Sequence, residues 1–435
     1  MATITIKNVG PIKEAELTLN KVNVFMGPQS SGKSTIAKVI SYCTWVEKDV
    51  ATNQSLDEYK ANGNFRKRFE DFHRLNGYFK ENTEIYYESD IIKLHFRNNE
   101  CFIGWVDKYA YKRSKIEYIP SERNLIILPF IYKVDLSNNN IRDFLFNWLT
   151  LRTKYHKENQ VKILNLPVAY YYQERMGLGE DHIISTDENN PYDILLENAS
   201  SGLQSLAPLI VSLKYMTEWI YENEEDISFE KQQKGNRVRK QLMKELVHEK
   251  YYPKEINRND VYFIEKNEQI PSFNVASVDE GAKELILQCY EIILNLDRTF
   301  FTQFIIEEPE QNLFPETQRD LMYHLLQLIT GERDHNLTIT THSPYILYAL
   351  NNCMMGGLVY AQLQGEEKNE YLTNDFLSVK SWIDPKLVSV WEIENGMLRN
   401  IQDKDNIISE NYLDQKMTEL TDEYCQMLNY YKNEE

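Results

Sequence analysis

Apolar and polar residues alternate over Ala2–Val9 and Lys13–Leu19, which predicts two strands joined at the turn dipeptide Gly10-Pro11. Val22–Met26 is apolar except for Asn23, the pattern of a strand largely buried on both faces. It stops at Gly27, and from Ser34 to Trp45 the residues Ile36, Ala37, Val39 and Ile40 take helical spacing. Strand, glycine loop and helix follow one another. Beyond them Leu56–Lys80 reads as helix and Glu84–Val106 as a hairpin turning at Asn98-Asn99. Leu125–Lys157 reads as mostly helix, with Phe144, Phe146 and Trp148 toward a core, Tyr170–Tyr172 as strand, and Asn198–Tyr221 as loop then helix. Ala276–Leu296 predicts a helix feeding the apolar strand Gln303–Ile306; Glu316–Ile329 is helix, Leu337–Thr341 strand and Tyr345–Asn351 helix. The remainder offers strands near Leu358–Leu363 and Val388–Ile393, then an acidic amphipathic helix from Leu413.

Composition narrows the setting. The chain has 435 residues, room for two or three domains and a sizeable core. No apolar run approaches the roughly 18–20 residues of a membrane span, so no membrane partner is expected. The first residues lack the pattern of a signal peptide. Five scattered cysteines, none spaced as CxxC, speak against a disulfide framework or a zinc site and for a reducing, cytoplasmic setting. A net charge of −18 excludes general binding of polyanions. DNA would need a local basic patch, and two tracts qualify: Lys108–Lys115, interleaved with Tyr109 and Tyr111, and Lys231–Lys244. Solvated helix faces that offset neighbouring acids are the commoner use of such tracts.

Four segments carry chemistry. Gly27-Pro28-Gln29-Ser30-Ser31-Gly32-Lys33-Ser34, followed by Thr35, fits the phosphate-loop pattern G-x-x-x-x-G-K-[ST] and sits between strand and helix as that motif requires. Its backbone N–H groups and the helix N-terminus form an anion nest. Lys33 then reaches the β- and γ-phosphates of ATP, and the Ser34 hydroxyl ligates Mg²⁺. Phe304-Ile305-Ile306-Glu307-Glu308-Pro309-Glu310 delivers two adjacent carboxylates to a strand end, where open α/β sheets bind ligands. Alternation turns them apart, Glu307 toward the metal and Glu308 toward the attacking water as base. The strand Leu337–Thr341 ends on His342, one helix after those carboxylates, where a γ-phosphate sensor belongs. Ala199-Ser200-Ser201-Gly202-Leu203-Gln204-Ser205 opens a helix, with Pro208 just inside it.

In this order the four segments resemble the ABC-type ATPases, and among them the non-transporter branch of RecF, SMC and OLD proteins. The direct start into the strand pair, the Glu-Glu-Pro-Glu carboxylates and Thr-Thr-His-Ser-Pro favour that branch. Closest in style are prokaryotic OLD-like ATPases, including those of Septu-type phage defence, whose Pro-x-x-Arg element near the nucleotide is similar to Pro120–Arg123. The resemblance implies an α/β ATPase head over 1–435: a parallel-sheet core around the phosphate loop, an antiparallel β lobe and helical insertions. Within it 46–118 is expected as a polar helix plus hairpin lobe, 119–198 as a helical subdomain and 199–221 as signature loop and helix. An inserted helical arm is expected at 222–275, the carboxylate and switch-histidine part at 276–370, and strands with an acidic helix at 371–435. Ser201, Gly202 and Gln204 would form the signature that contacts ATP held by the opposite subunit, in a head-to-tail homodimer or higher oligomer. Leu203 stands where many members have a second glycine, and Gln173 is offered as the Q-loop glutamine. Asp403 and Asp405, with Glu394 only nine positions before Asp403, lack the spacing of a Toprim nuclease. Asn395-Gly396 signals a hairpin turn instead. A defence ATPase of this kind would act through a separately encoded nuclease or toxin, held by the arm or by the acidic tail. A RecF- or SMC-like DNA-repair ATPase, a non-hydrolysing ATP-gated scaffold and, more distantly, a transporter subunit are the alternatives.

Overall fold

The computed structural model describes residues 2–61, 63–128, 131, 137–223, 229–248, 280–363 and 376–431. The chain opens with the antiparallel pair β1 (Thr3–Val9) and β2 (Ile12–Thr18), then β3 (Val22–Met26), buried at every position, then α1 (Lys33–Asn53). The segment expected as one helix over Leu56–Lys80 is two, α2 (Asp57–Lys60) and α3 (Asn64–His73). Gly63 at φ 77° separates them, and Arg74 at φ 57° ends the second. The lobe that follows is a three-stranded meander, not a hairpin: β4 (Phe79–Glu88), β5 (Ile92–Arg97) and β6 (Glu100–Trp105). Asn98 and Asn99, both at positive φ, turn β5 into β6 at the dipeptide expected.

β7 (Ser114–Ile119) leads to α4 (Asn140–Leu151), which Asn139 caps. Phe144 and Trp148 of α4 are buried, but Phe146 faces outward, with Arg142 over its ring; two residues of helix rotation take it off the core face. The stretch 119–198, expected as helical, also holds a separate antiparallel sheet of β8 (Val161–Lys162), β9 (Val168–Arg175), β10 (Leu178–Ser185) and β11 (Asp193–Leu195). α5 (Ser201–Lys214) runs on through a π-turn at Tyr215–Trp219. Of the arm expected at 222–275, α6 (Phe229–Met243) and the π-turn Lys244–His248 are described; 224–228 and 249–275 lie outside the described residues.

α7 (Glu280–Asp297), β12 (Phe301–Glu307), α8 (Pro315–Ile329), β13 (Asn336–Thr341) and α9 (Pro344–Gln362) follow. α9 covers most of Leu358–Leu363, expected as strand. Gly356 and Gly357 lie within the unbroken helix, where a Cβ would lie 2.1 Å from Trp382 Nε1 and 2.0 Å from Ile383 O. The pair is there for close approach of a neighbouring segment. β14 (Val388–Glu394) and β15 (Met397–Asn400) form the hairpin turning at Asn395-Gly396, and α10 (Tyr412–Leu428) ends the described chain.

The large sheet has the strand order β6-β5-β4-β1-β2-β15-β14-β3-β13-β12-β7. Its five strands from β14 to β7 are parallel, and the lobe beyond β15 is antiparallel. This is the α/β architecture the resemblance implied. Val22, Val24 and Met26 of β3 join Phe304, Ile306, Leu337 and Ile339 in a core with α4, α5, α8 and α9. Phe25, between them, joins α1, α3 and the antiparallel lobe on the other face. In the ladder Met26 pairs with Thr341 and Glu307 with Thr340, so β3, β12 and β13 end together at one edge. All four chemical segments but one start from that edge.

Candidate active site

Two glycines shape the phosphate loop. Gly27 leaves β3 at φ 147° with its Cβ position 2.7 Å from Ile393 O, and Gly32 enters α1 at φ 110° with its Cβ position 2.4 Å from Ile12 Cδ1. The loop is therefore wedged between β14 and the β1–β2 turn, where only glycine fits. No side chain caps α1, so the N–H groups of its first turn remain available at the loop. Lys33 folds back, donating from Nζ to Gly27 O (2.9 Å) and Pro28 O (2.8 Å). Burial pushes its ammonium down to about 8, against the charges of Glu308 and Glu310, which favour it. Ser31 Oγ is buried in the loop with no partner, a free donor facing an anion nest. Gln29 and Ser30 are exposed, Pro28 and Ser34 half-buried, and Thr35 is buried.

Glu307 and Glu308 part, though not by strand alternation, because β12 ends at Glu307 and Glu308 leaves the extended backbone. Glu307 is buried, accepting from the Tyr118 hydroxyl and from Ser121 N (3.4 Å). Glu308 turns the other way, at φ 44°, its amide donating to Thr340 O (3.0 Å). Its carboxylate lies 3.5 Å from His342 Nε2. That hydrogen bond, ahead of burial, sets the Glu308 carboxyl below its ordinary range, with the charges of His342, Lys33 and Arg123 adding to it. The expected base and sensor thus stand in contact.

Glu310 was not among the expected site residues, although the Glu-Glu-Pro-Glu tract contains it. One oxygen accepts from Thr341 Oγ1 (2.8 Å) and His342 N (2.6 Å); the other is buried and unpaired. Burial raises its carboxyl above the usual range. Arg123 also departs from expectation. Its guanidinium is buried and donates to Ser205 O, Pro120 O, Glu307 O, Glu308 O and Pro309 O, so it braces the backbone behind the carboxylates and leaves no N–H to face a nucleotide. Desolvation lowers it to about 10.

The start of α5 belongs to the same frame. A Cβ on Gly202 would lie 2.9 Å from Asn312 O, so the helix start rests on the loop that follows Glu310. Ser200 caps it through Leu203 N (3.4 Å). Gln204 donates its amide to Glu197 O (2.8 Å) and Ala199 O (3.0 Å), which ties it to its own loop; Ser201 is exposed. Gln173 is not brought to the site: it is exposed on β9 of the separate sheet, opposite Glu180.

Three of the basic side chains offered to DNA face acids of the same chain. Lys108 pairs with Glu245 (2.7 Å), Lys115 lies 3.7 Å from Glu117, and Arg239 pairs with Asp297 (2.6 Å). Asp403 accepts from Asp405 N (2.9 Å) and Ile407 N (3.0 Å), closing its own turn. The ligands expected for Mg²⁺, the Ser34 hydroxyl and the Glu307 carboxylate, are oxygens and suit that ion shared with phosphates, and both Glu307 oxygens are engaged here by the Tyr118 hydroxyl and Ser121 N. Among the described residues no group of three or more His, Cys, Asp or Glu could hold a metal, and no helix is long and apolar enough to cross a membrane.

No protein-family profile and no curated protein matches this chain. Among solved structures it is similar to the SMC head domain from Thermotoga maritima, at 10% identity over 94% of this chain and 98% of that one, with a TM-score of 0.36. It is similar to the recombination mediator RecF (12% identity, 92% and 97% covered, TM-score 0.30) and to a dimeric ATP-binding cassette in a post-hydrolysis state with ADP and phosphate (10%, 92% and 99%, TM-score 0.27). At such distances no residue's role is carried across, and the roles below rest on this chain's own geometry.

Proposed function

We propose that this chain is an ABC-type switch ATPase that binds ATP with Mg²⁺, closes head-to-tail with a second copy, and hydrolyses the nucleotide between them. The observation that carries this reading is the convergence of Lys33, Glu308, Glu310 and His342 at the common edge of β3, β12 and β13. Lys33 releases its two loop carbonyls and binds phosphate oxygens with the N–H groups of the α1 start and the Ser31 hydroxyl. Ser34 and Glu307 would hold Mg²⁺, which neutralises phosphate charge when bound. Glu308, kept ionised by His342, accepts a hydrogen bond from water and orients it for attack. His342 in turn is fixed at its amide by Glu310 and senses the terminal phosphate.

The biological setting proposed is regulation of a bacterial anti-phage defence system, with a separate nuclease or toxin as effector. The Glu-Glu-Pro-Glu and Thr-Thr-His-Ser-Pro tracts support it by their resemblance to OLD-like ATPases. The DNA-repair alternative loses ground because Lys108, Lys115 and Arg239 are engaged by acids.

Two variants test the chemistry. Lys33→Ala should abolish ATP binding, measured by equilibrium binding. Glu308→Gln should bind ATP normally but hydrolyse it about 10²–10⁴-fold more slowly. Turnover within a few-fold of wild type would remove Glu308 from the role.

A further inference from the structure

Among the described residues, α10 is held to the head by its first turn alone. Asn411 caps it, Tyr412 N donates to Glu392 (2.8 Å), the Tyr348 hydroxyl bonds Asp414, and Tyr412 and Leu413 rest against the core. Beyond Asp414 the side-chain bonds among the described residues stay inside the helix: Lys416 to Glu419 (2.6 Å), Thr418 to Asp414 O (3.0 Å) and Thr421 to Met417 O (2.8 Å). None of its residues is buried. Among the described residues nothing packs on this 17-residue helix beyond its first turn. Its apolar side chains are displayed: Met417 is 65% exposed, Leu420 65%, Tyr424 59% and Met427 57%. From Leu413 they recur at intervals of four, three, four and three, a heptad seam.

We propose that this seam is covered by α10 of a second copy of the chain, running antiparallel. In that register Met417 meets Leu420 of the second copy and Leu413 meets its Tyr424, each contact occurring twice about a two-fold axis. The charges beside the seam select this arrangement. Lys416 and Glu423 precede Met417 and Tyr424 and hold the same heptad position. Antiparallel pairing sets Lys416 of each helix against Glu423 of the other, forming two ion pairs in place of the internal bond from Lys416 to Glu419. Parallel pairing in register would oppose Lys416 to Thr421 and Glu423 to Leu428, leaving both charges uncompensated. Sliding the antiparallel pair by a heptad would set Glu423 against Glu423. Glu419 and Asp422 lie away from the seam and stay in water. The pairing needs no nucleotide, so it is independent of the ATP-dependent interface, and the two together would build assemblies larger than a dimer.

Sedimentation equilibrium of the full chain without nucleotide tests this. Wild type should be a dimer. Lys416→Glu and Glu423→Lys should each weaken it by about tenfold or more, because two attractive pairs become two repulsive ones. The double exchange Lys416→Glu with Glu423→Lys should restore dissociation to within a few-fold of wild type. Leu420→Ser, at a position exposed in the single chain, should give a monomer that still unfolds cooperatively, with an unfolding temperature no longer dependent on protein concentration. A monomeric wild type at tens of micromolar would overturn the proposal. So would single exchanges without effect, or a double exchange that fails to recover.

Discussion

Lys33 is an ammonium in a desolvated cradle whose nearest partners are two neutral carbonyls. Its charge is lost as pH passes about 8, well below the ordinary lysine range. Phosphate binding needs the charged form and raises its pKa in the complex. Affinity for ATP should therefore be nearly constant below pH 7 and fall with rising pH above about 8, approaching tenfold per unit. Lys33→Arg keeps its charge across this range, so its affinity, whatever its level, should stay flat. Nucleotide titrations between pH 6.5 and 9.5 measure both profiles. A wild-type profile without a bend would mean that Lys33 is not desolvated in the free protein. The same scale explains Glu308: a non-glycine residue at positive φ costs on the order of 1–3 kcal/mol and persists only where neighbours hold it.

At the scale of elements that neighbour is Arg123. One buried guanidinium ties the end of β12, through the carbonyls of Glu307, Glu308 and Pro309, to α5, through Ser205 O. Arg123→Met should leave those carbonyls unsatisfied in the core and lower stability by about 3 kcal/mol or more, read from urea unfolding. Arg123→Lys keeps a charge but serves fewer acceptors, so it should fall between, with slowed ATP turnover as Glu308 loosens. Unchanged stability in the Met variant would show that water replaces the brace. The phosphate loop and the strand ends at Glu307 and Thr341 were legible in the sequence because each combines a short-range pattern with a local physical need: glycines for positive φ, apolar runs for burial on two faces. Arg123 was legible as a motif but not in its role, since all its acceptors but Pro120 O lie about 80 to 190 positions away. β7 only starts inside the tract read for its lysines, and the close packing of Trp382 and Ile383 on Gly356 and Gly357 of α9 could not be read because the two segments are distant in sequence. Glu310 stood in plain view; what the sequence lacked was the pairing of β12 with β13 that brings it to the His342 amide.

For the whole molecule, the decisive question is whether the α5 start serves its own phosphate loop or another's. Within one chain Ser200 and Gln204 are committed to neighbouring backbone and Gly202 to the Asn312 loop, while Ser201 is exposed. If Ser201 completes a site across a dimer, Ser201→Arg should bind ATP and fail to hydrolyse it, and Lys33→Ala should do neither. A mixed dimer of the two still contains one site with an intact phosphate loop from the Ser201→Arg chain and an intact Ser201 from the Lys33→Ala chain. Under random pairing, half of the dimers are mixed and each has one good site of two, so an equal mixture should recover about a quarter of wild-type ATPase activity. Recovery should vanish when either variant is in large excess, giving a bell-shaped dependence on mixing ratio. Because the signal comes only from mixed pairs, contamination of either preparation by wild type would give a straight line instead. A mixture as inactive as its components at every ratio, with exchange of subunits verified by light scattering or labelled chains, would place Ser201 outside the active site and leave hydrolysis to a single head.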